Sequence, residues 1–386
     1  MWRLMICISS LLATALAASE PPTIASVDPA VAAQSIPLAV HVGGRVAVVP
    51  LPPPAPRGAH GYRHQWPAIY WEGEFVGDQL LLGFDDDKNE YRLSVDGGVP
   101  VALPQPGRTM LEITGLGPGK HSVRLDKVTE SATLVRSFDG FFVPRGGKVL
   151  PAPPPRARQI EFIGDSGMTG YGIRSATRTC SAEEVRLRTD SGAAWPVLVA
   201  HALDADYEVD AMSGRGLVRN YDGVEPERTM AVLYERTLPD EKSLWQDPAW
   251  QPQVVVVMLF ADFLIDLKPG EAWPDQAALV TAYTGAYREL VASLHERAPE
   301  AALVLPWIDF DKYPDETARL FSTDVKTAIR DAAAGAGVRR VDFPVLPDFP
   351  AENSACDYHW SHADHRQMAN WMTEWLLARP ELWRGR

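Results

Sequence analysis

Residues 159–172 read Gln159-Ile160-Glu161-Phe162-Ile163-Gly164-Asp165-Ser166-Gly167-Met168-Thr169-Gly170-Tyr171-Gly172, and the fold of the larger half of the chain follows from how they divide. The run Gln159 to Ile163 is short, largely apolar and closed by a glycine, which predicts a buried strand. Ser166 then sits just past the strand's carboxyl end. In open α/β sheets that edge is where ligands bind, and a turn into a helix there aims backbone N–H groups at developing negative charge. The elbow G-x-S-x-G is absent, because Met168 holds its last position. By itself Gly-Asp-Ser also describes an ordinary strand-to-helix turn with a capping serine.

Downstream, apolar strands alternate with helical stretches: Tyr207 to Ala211, Val254 to Leu259, Ala302 to Leu305 and Val338 to Phe343. Such alternation predicts a parallel sheet covered on both faces. One helix is clear, with Asp275 as N-cap and Leu279, Tyr283, Tyr287, Leu290 and Leu294 at helical spacing, which reads as a core stripe. Upstream the pattern differs. Tyr91, Leu93 and Val95 alternate with Arg92, Ser94 and Asp96, and turns such as Asp96-Gly97-Gly98 separate further runs of period two. That pattern predicts an all-β sandwich. Proline-rich stretches at 51–56 and 151–155 favour stiff extended chain. The expected division is a β-sandwich over residues 40–148, a linker over 149–158, and an α/β domain over 159–386.

At the start of the chain Arg3 precedes an apolar run from Leu4 to Leu16 that ends in Ala15-Leu16-Ala17, the form of a cleaved export signal over residues 1–17. The run falls short of the ~20 residues that cross a bilayer. A secreted or periplasmic protein with no membrane partner after signal cleavage is expected. A net charge of -13 argues against nucleic-acid partners, which call for Lys and Arg clusters. Of the three cysteines Cys7 leaves with the signal, and Cys180 and Cys356 remain as either a disulfide or two buried thiols.

A serine nucleophile needs a base, and residues 356–365 read Cys356-Asp357-Tyr358-His359-Trp360-Ser361-His362-Ala363-Asp364-His365. By type alone His359 and His365 both qualify. Three histidines spaced by three raise a metal site, but H-E-x-x-H is absent and no metal is expected.

Three blocks together resemble the SGNH (GDSL) hydrolase superfamily and, within it, carbohydrate esterase family two. Ile160 to Ser166 with Gly170-Tyr171-Gly172 resembles the nucleophile block, Ser213-Gly214-Arg215-Gly216-Leu217-Val218-Arg219-Asn220 the glycine block, and Cys356-Asp357-Tyr358-His359 with His365, Met368 and Ala369 the histidine block. The resemblance implies a jelly-roll N-terminal domain, an α/β SGNH-hydrolase domain, and an esterase that removes acyl groups, acetyl first among them, from polysaccharide or sugar without a cofactor. It implies Ser166 as nucleophile, His359 as base, and the N–H groups of Ser166 and Gly214 in the oxyanion hole.

Two positions depart from the family pattern. The acid three residues before the histidine is replaced by Cys356, and Asp357 stands two before; on an extended segment Asp357 would share a face with His359 and could orient the ring. The strand Val254 to Leu259 runs into Phe260-Ala261-Asp262-Phe263, so Ala261 stands where the family carries an oxyanion asparagine. A slow esterase follows, with two rival readings: a non-catalytic carbohydrate-binding protein that keeps the fold, and a sugar O-acyltransferase. Trp360, Trp307 and Tyr171 are candidate sugar platforms, although each also fits simple packing.

Overall fold

The computed structural model describes residues 22–131, 134–308 and 324–383, and the expected signal at 1–17 lies outside them. Residues from Thr23 to Val149 form two antiparallel sheets, of seven and six strands. Their alternation is the one the sequence predicts: Leu93 and Leu125 pair across adjacent strands and are buried, while Arg92 and Asp126 pair on the opposite face. Trp71, Phe84, Tyr91 and Phe138 fill the space between the sheets. The sandwich begins earlier than residue 40, because Thr23–Val27 pairs antiparallel with Gly107–Thr114. This edge strand is mostly exposed and carries little of the buried alternation by which a strand is read from sequence.

The second half is built on five parallel strands in the order Ala205–Ala211, Arg158–Gly164, Val254–Met258, Ala302–Val304, Val341–Asp342. Winding reverses at Arg158–Gly164, which has the second strand on one side and the third on the other. A crevice opens at the carboxyl end of strands at such a switch point, and Ser166 stands there. The helix Gln276–Arg297 is capped by Asp275, whose Oδ1 accepts the Ala278 N–H at 2.8 Å. Tyr283 and Tyr287 on its inner face are core residues, as their spacing predicts.

The two halves are docked through charge. On the edge strand Ala205–Ala211 every second residue is acidic, and Asp206, Glu208 and Asp210 are all buried. Asp206 accepts from Tyr70 Oη at 2.7 Å and pairs with His41 at 2.9 Å and Arg156 at 2.8 Å. Arg45, in the turn between two sandwich strands, pairs with Glu208 and Glu161 at 3.2 Å and with Asp210 at 2.8 Å. The proline-rich connection therefore ends in a fixed point, since Arg156 grips both Glu72 and Asp206.

Candidate active site

The turn that carries Ser166 is held by Asp165. Its buried carboxylate accepts the Gly167 N–H at 3.0 Å, capping the single helical turn Ser166–Thr169, and the Phe260 N–H at 3.2 Å, which ties that turn to the end of the next strand. Ser166 is left half-buried at the carboxyl end of its strand.

His359 comes to it from the far end of the chain. Its Nε2 lies 2.8 Å from Ser166 Oγ, and its Nδ1 lies 3.0 Å from the Cys356 carbonyl oxygen. A carbonyl can only accept, so Nδ1 carries the proton and Nε2 presents its lone pair to the hydroxyl. Burial holds the imidazole below its ordinary 6.5, with the Cys356 carbonyl and the Asp165 charge opposing. The ring is therefore neutral at pH 7. Tyr171 stacks on it at 4.1 Å between centroids and 29° between planes, so one face of Tyr171 is occupied by the imidazole.

The Asp357 carboxylate is not on the ring, where an extended segment would have allowed it to be. Cys356–Tyr358 forms a 3-10 turn in which Asp357 and Tyr358 adopt φ of 51° and 62°. Period-two alternation does not apply to such a turn, and the Asp357 carboxylate accepts instead from Tyr171 Oη at 2.9 Å. The turn is stapled by a disulfide between Cys180 and Cys356 and by the Asp357 N–H, which donates to the Arg178 carbonyl at 2.7 Å.

The glycine block forms the other wall. Asp262, fully buried, accepts the N–H groups of Leu217, Val218 and Arg219, each at 2.7 Å. Burial pushes its carboxyl up to about 6, against those three donors. A Cβ at Gly216 would lie 2.0 Å from the Arg219 carbonyl oxygen and 2.5 Å from Asp262 Oδ2, which leaves room only for glycine. Gly214 has φ of 75°, a conformation that side chains resist, and its N–H has no intramolecular acceptor among the described residues. Ala261 is buried at the end of its strand and offers no side-chain donor.

The other histidine is structural. His365 is buried and pushed down to about 3 by desolvation; its Nδ1 accepts the Trp195 N–H at 3.2 Å. Trp360 packs edge-on against it, 5.6 Å between centroids. Trp307 is 5% exposed and packs edge-on against Phe343, so it presents no open face, whereas Trp360 is only partly buried. Among the described residues two exposed tyrosines lie nearby: Tyr358, 69% exposed, next to His359 with the Arg178 guanidinium 4.8 Å from its ring centroid, and Tyr221, 46% exposed, whose N–H donates to the Gly214 carbonyl. Neither was singled out in the sequence, although Tyr358 adjoins the histidine. Among the described residues Glu161, Glu208 and Asp210 have the spacing of a metal site, but the Arg45 guanidinium already pairs with all three.

A five-stranded parallel sheet with a serine and a histidine joined at its switch point defines an α/β ester hydrolase of the GDSL-like class, and residues 162–367 match the GDSL-like Lipase/Acylhydrolase family while residues 56–153 match the Carbohydrate esterase 2 N-terminal domain. The chain belongs to carbohydrate esterase family 2 and is a carboxylic ester hydrolase. It is 38% identical over 348 residues, 90% of this chain and 93% of the relative, to an acetylxylan esterase / glucomannan deacetylase of Cellvibrio japonicus. Among solved structures it is similar to a carbohydrate esterase whose active site is described as having divergent catalytic and non-catalytic binding functions, with TM-score 0.79 and 35% identity over 90% of this chain and 99% of that one. It is also similar to a family two carbohydrate esterase from Clostridium thermocellum in complex with cellohexaose, with TM-score 0.71 and 26% identity over 89% and 100%.

Proposed function

We propose that the protein removes acyl groups, acetyl first among them, from carbohydrate through an acyl-enzyme on Ser166, with His359 as general base and no third member in the triad. The observation that carries this reading is the 2.8 Å approach of His359 Nε2 to Ser166 Oγ, with Nδ1 anchored on the Cys356 carbonyl. His359 takes the hydroxyl proton as Oγ attacks the ester carbonyl. It returns that proton to the sugar oxygen as the C–O bond breaks, and water then repeats the cycle in reverse roles. The N–H groups of Ser166 and Gly214 receive the oxyanion. The deacetylase at 38% identity supports acetylated glycan as substrate, and the complex of the Clostridium relative with cellohexaose supports a cleft that accepts β-linked sugar chains.

Export belongs to the same proposal. A signal-like leader and a disulfide between distant cysteines both suit an oxidising compartment. The test is acetate release from acetylated glycans, with and without an added sugar acceptor. Hydrolysis abolished by Ser166→Ala is expected. Binding without turnover would favour the non-catalytic protein, and acylation of the acceptor the transferase.

A further inference from the structure

One carboxylate at the crevice comes from the other domain. Glu130 lies just after the sandwich strand Lys120–Lys127, and its Oε1 accepts the Ser213 N–H at 2.8 Å while its Oε2 accepts from Ser213 Oγ at 2.6 Å. Ser213 Oγ in turn lies 3.0 Å from Thr169 Oγ1, in the helical turn that Ser166 begins. A single side chain thus heads a network that touches both walls of the crevice. Because Ser213 supplies the peptide whose N–H belongs to Gly214, two bonds on Ser213 fix the direction in which that N–H points.

The residues on both sides of Glu130 are anchored in its own domain. The buried Lys127 ammonium donates to the carbonyls of Trp66 at 2.9 Å and Thr129 at 2.8 Å, the Glu90 N–H donates to Thr129 Oγ1 at 2.9 Å, and Ser131 Oγ donates to the Gln65 carbonyl at 3.0 Å. Alongside, the Ser191 N–H donates to the Val128 carbonyl at 2.8 Å and Arg92 pairs with Asp190, so the segment is seated on the hydrolase domain from both sides. An acid placed here at the cost of desolvation is bonded to both the N–H and the hydroxyl of the residue before the oxyanion glycine, and the Thr169 hydroxyl also bonds to it.

We propose that Glu130 is a positioning residue for ester hydrolysis: the β-sandwich domain, through this carboxylate, aims the Gly214 N–H at the oxyanion, and catalysis therefore depends on a domain that contributes no reacting atom. This rests on the serine mechanism proposed above. Misplacing one donor by about an ångström costs on the order of a hundredfold in rate. The interaction grows in the transition state, so the loss belongs in kcat and not in KM.

The test compares the full-length protein with Glu130→Ala, Glu130→Gln and Ser166→Ala on one small acetyl ester, together with inhibition by an alkyl boronic acid, which adds to Ser166 as a tetrahedral anion. Glu130→Ala should lower kcat about a hundredfold with KM within about twofold, and weaken boronate inhibition in parallel. Glu130→Gln keeps one acceptor for the Ser213 N–H and should recover much of that loss; it also decides the matter if the alanine variant does not fold. Glutamine and alanine variants that both retain kcat within about threefold of wild type, or that lose only KM, overturn the proposal. Activity that survives in Ser166→Ala instead overturns the serine mechanism, so the two failures are told apart in one experiment.

Discussion

At the scale of single residues, the protonation of His359, the proposed base, is set by its surroundings. Burial lowers the His359 pKa below its ordinary 6.5, so the ring stays neutral and competent as pH falls past 6.5 and is lost only below its lowered value. The acid limb of kcat/KM against pH should have its midpoint under 6.5; a midpoint above it would mean a carboxylate partner stabilises the imidazolium. Linkage runs the same way, since the unfolded chain takes up a proton near 6.5 that the folded ring refuses, and this site loses stability as pH falls below that point. The Asp357 carboxylate bonds Tyr171 and reaches the ring only through its charge and its backbone, so Asp357→Asn should reduce kcat by less than about tenfold, against the ten-thousandfold cost of losing a true triad acid. Ala261→Asn should raise kcat by about tenfold to a hundredfold with KM nearly unchanged, because the added donor would meet the oxyanion more than the planar ester; no rise in a folded variant would mean the site manages without that donor. That Ser166 and His359 meet was legible because strand-turn-serine and a distant histidine block are patterns of residue type and order. The place of Asp357 was not, because two consecutive left-handed residues without glycine have no sequence signal. Glu130 was invisible for a different reason: it stands in another domain, and its partner is 83 residues away.

At the scale of elements, the strands and the long helix were readable because burial on one or both faces imposes a period, and Val254–Met258 or Gln276–Arg297 show it plainly. Where burial is slight the reading fails, as with the exposed edge strand Thr23–Val27, or runs long, as with Val338 to Phe343, which narrows to Val341–Asp342. The histidine turn depends on an element that sequence left open, the Cys180–Cys356 bridge across 176 residues. Cross-links of this kind stabilise by about 2–4 kcal/mol, mostly by restricting the unfolded chain. Cys180→Ser with Cys356→Ser should therefore lower the melting temperature and also reduce kcat, since the turn that carries the Cys356 carbonyl is no longer stapled to the loop after the nucleophile. Labelling of both thiols in the unreduced wild-type protein would remove the premise.

At the scale of the whole molecule, the sandwich and the hydrolase domain act as one body joined by buried charge. The signal for this was present in the sequence as an acid at every second position of an otherwise apolar strand, Asp206, Glu208 and Asp210. It could not be interpreted until Arg45, His41 and Arg156 were seen opposite. Burial pushes the Glu208 and Asp210 carboxyls up, and Arg45 opposes the shift. Removing one member of such a cluster leaves charge buried without a partner, at a cost of about 3–5 kcal/mol. Arg45→Ala should thus destabilise both domains together, seen as one thermal transition at lower temperature; an unchanged melting temperature would mean the cluster is neutral without the guanidinium. The most direct measurement of the whole scheme is intact-mass and peptide analysis after a brief quench of the protein with an activated acetyl ester. An adduct of one acetyl group on Ser166, absent in Ser166→Ala and formed far more slowly in His359→Ala, is expected; turnover with no serine adduct, or an adduct formed as fast without His359, would show that the dyad is not the catalyst.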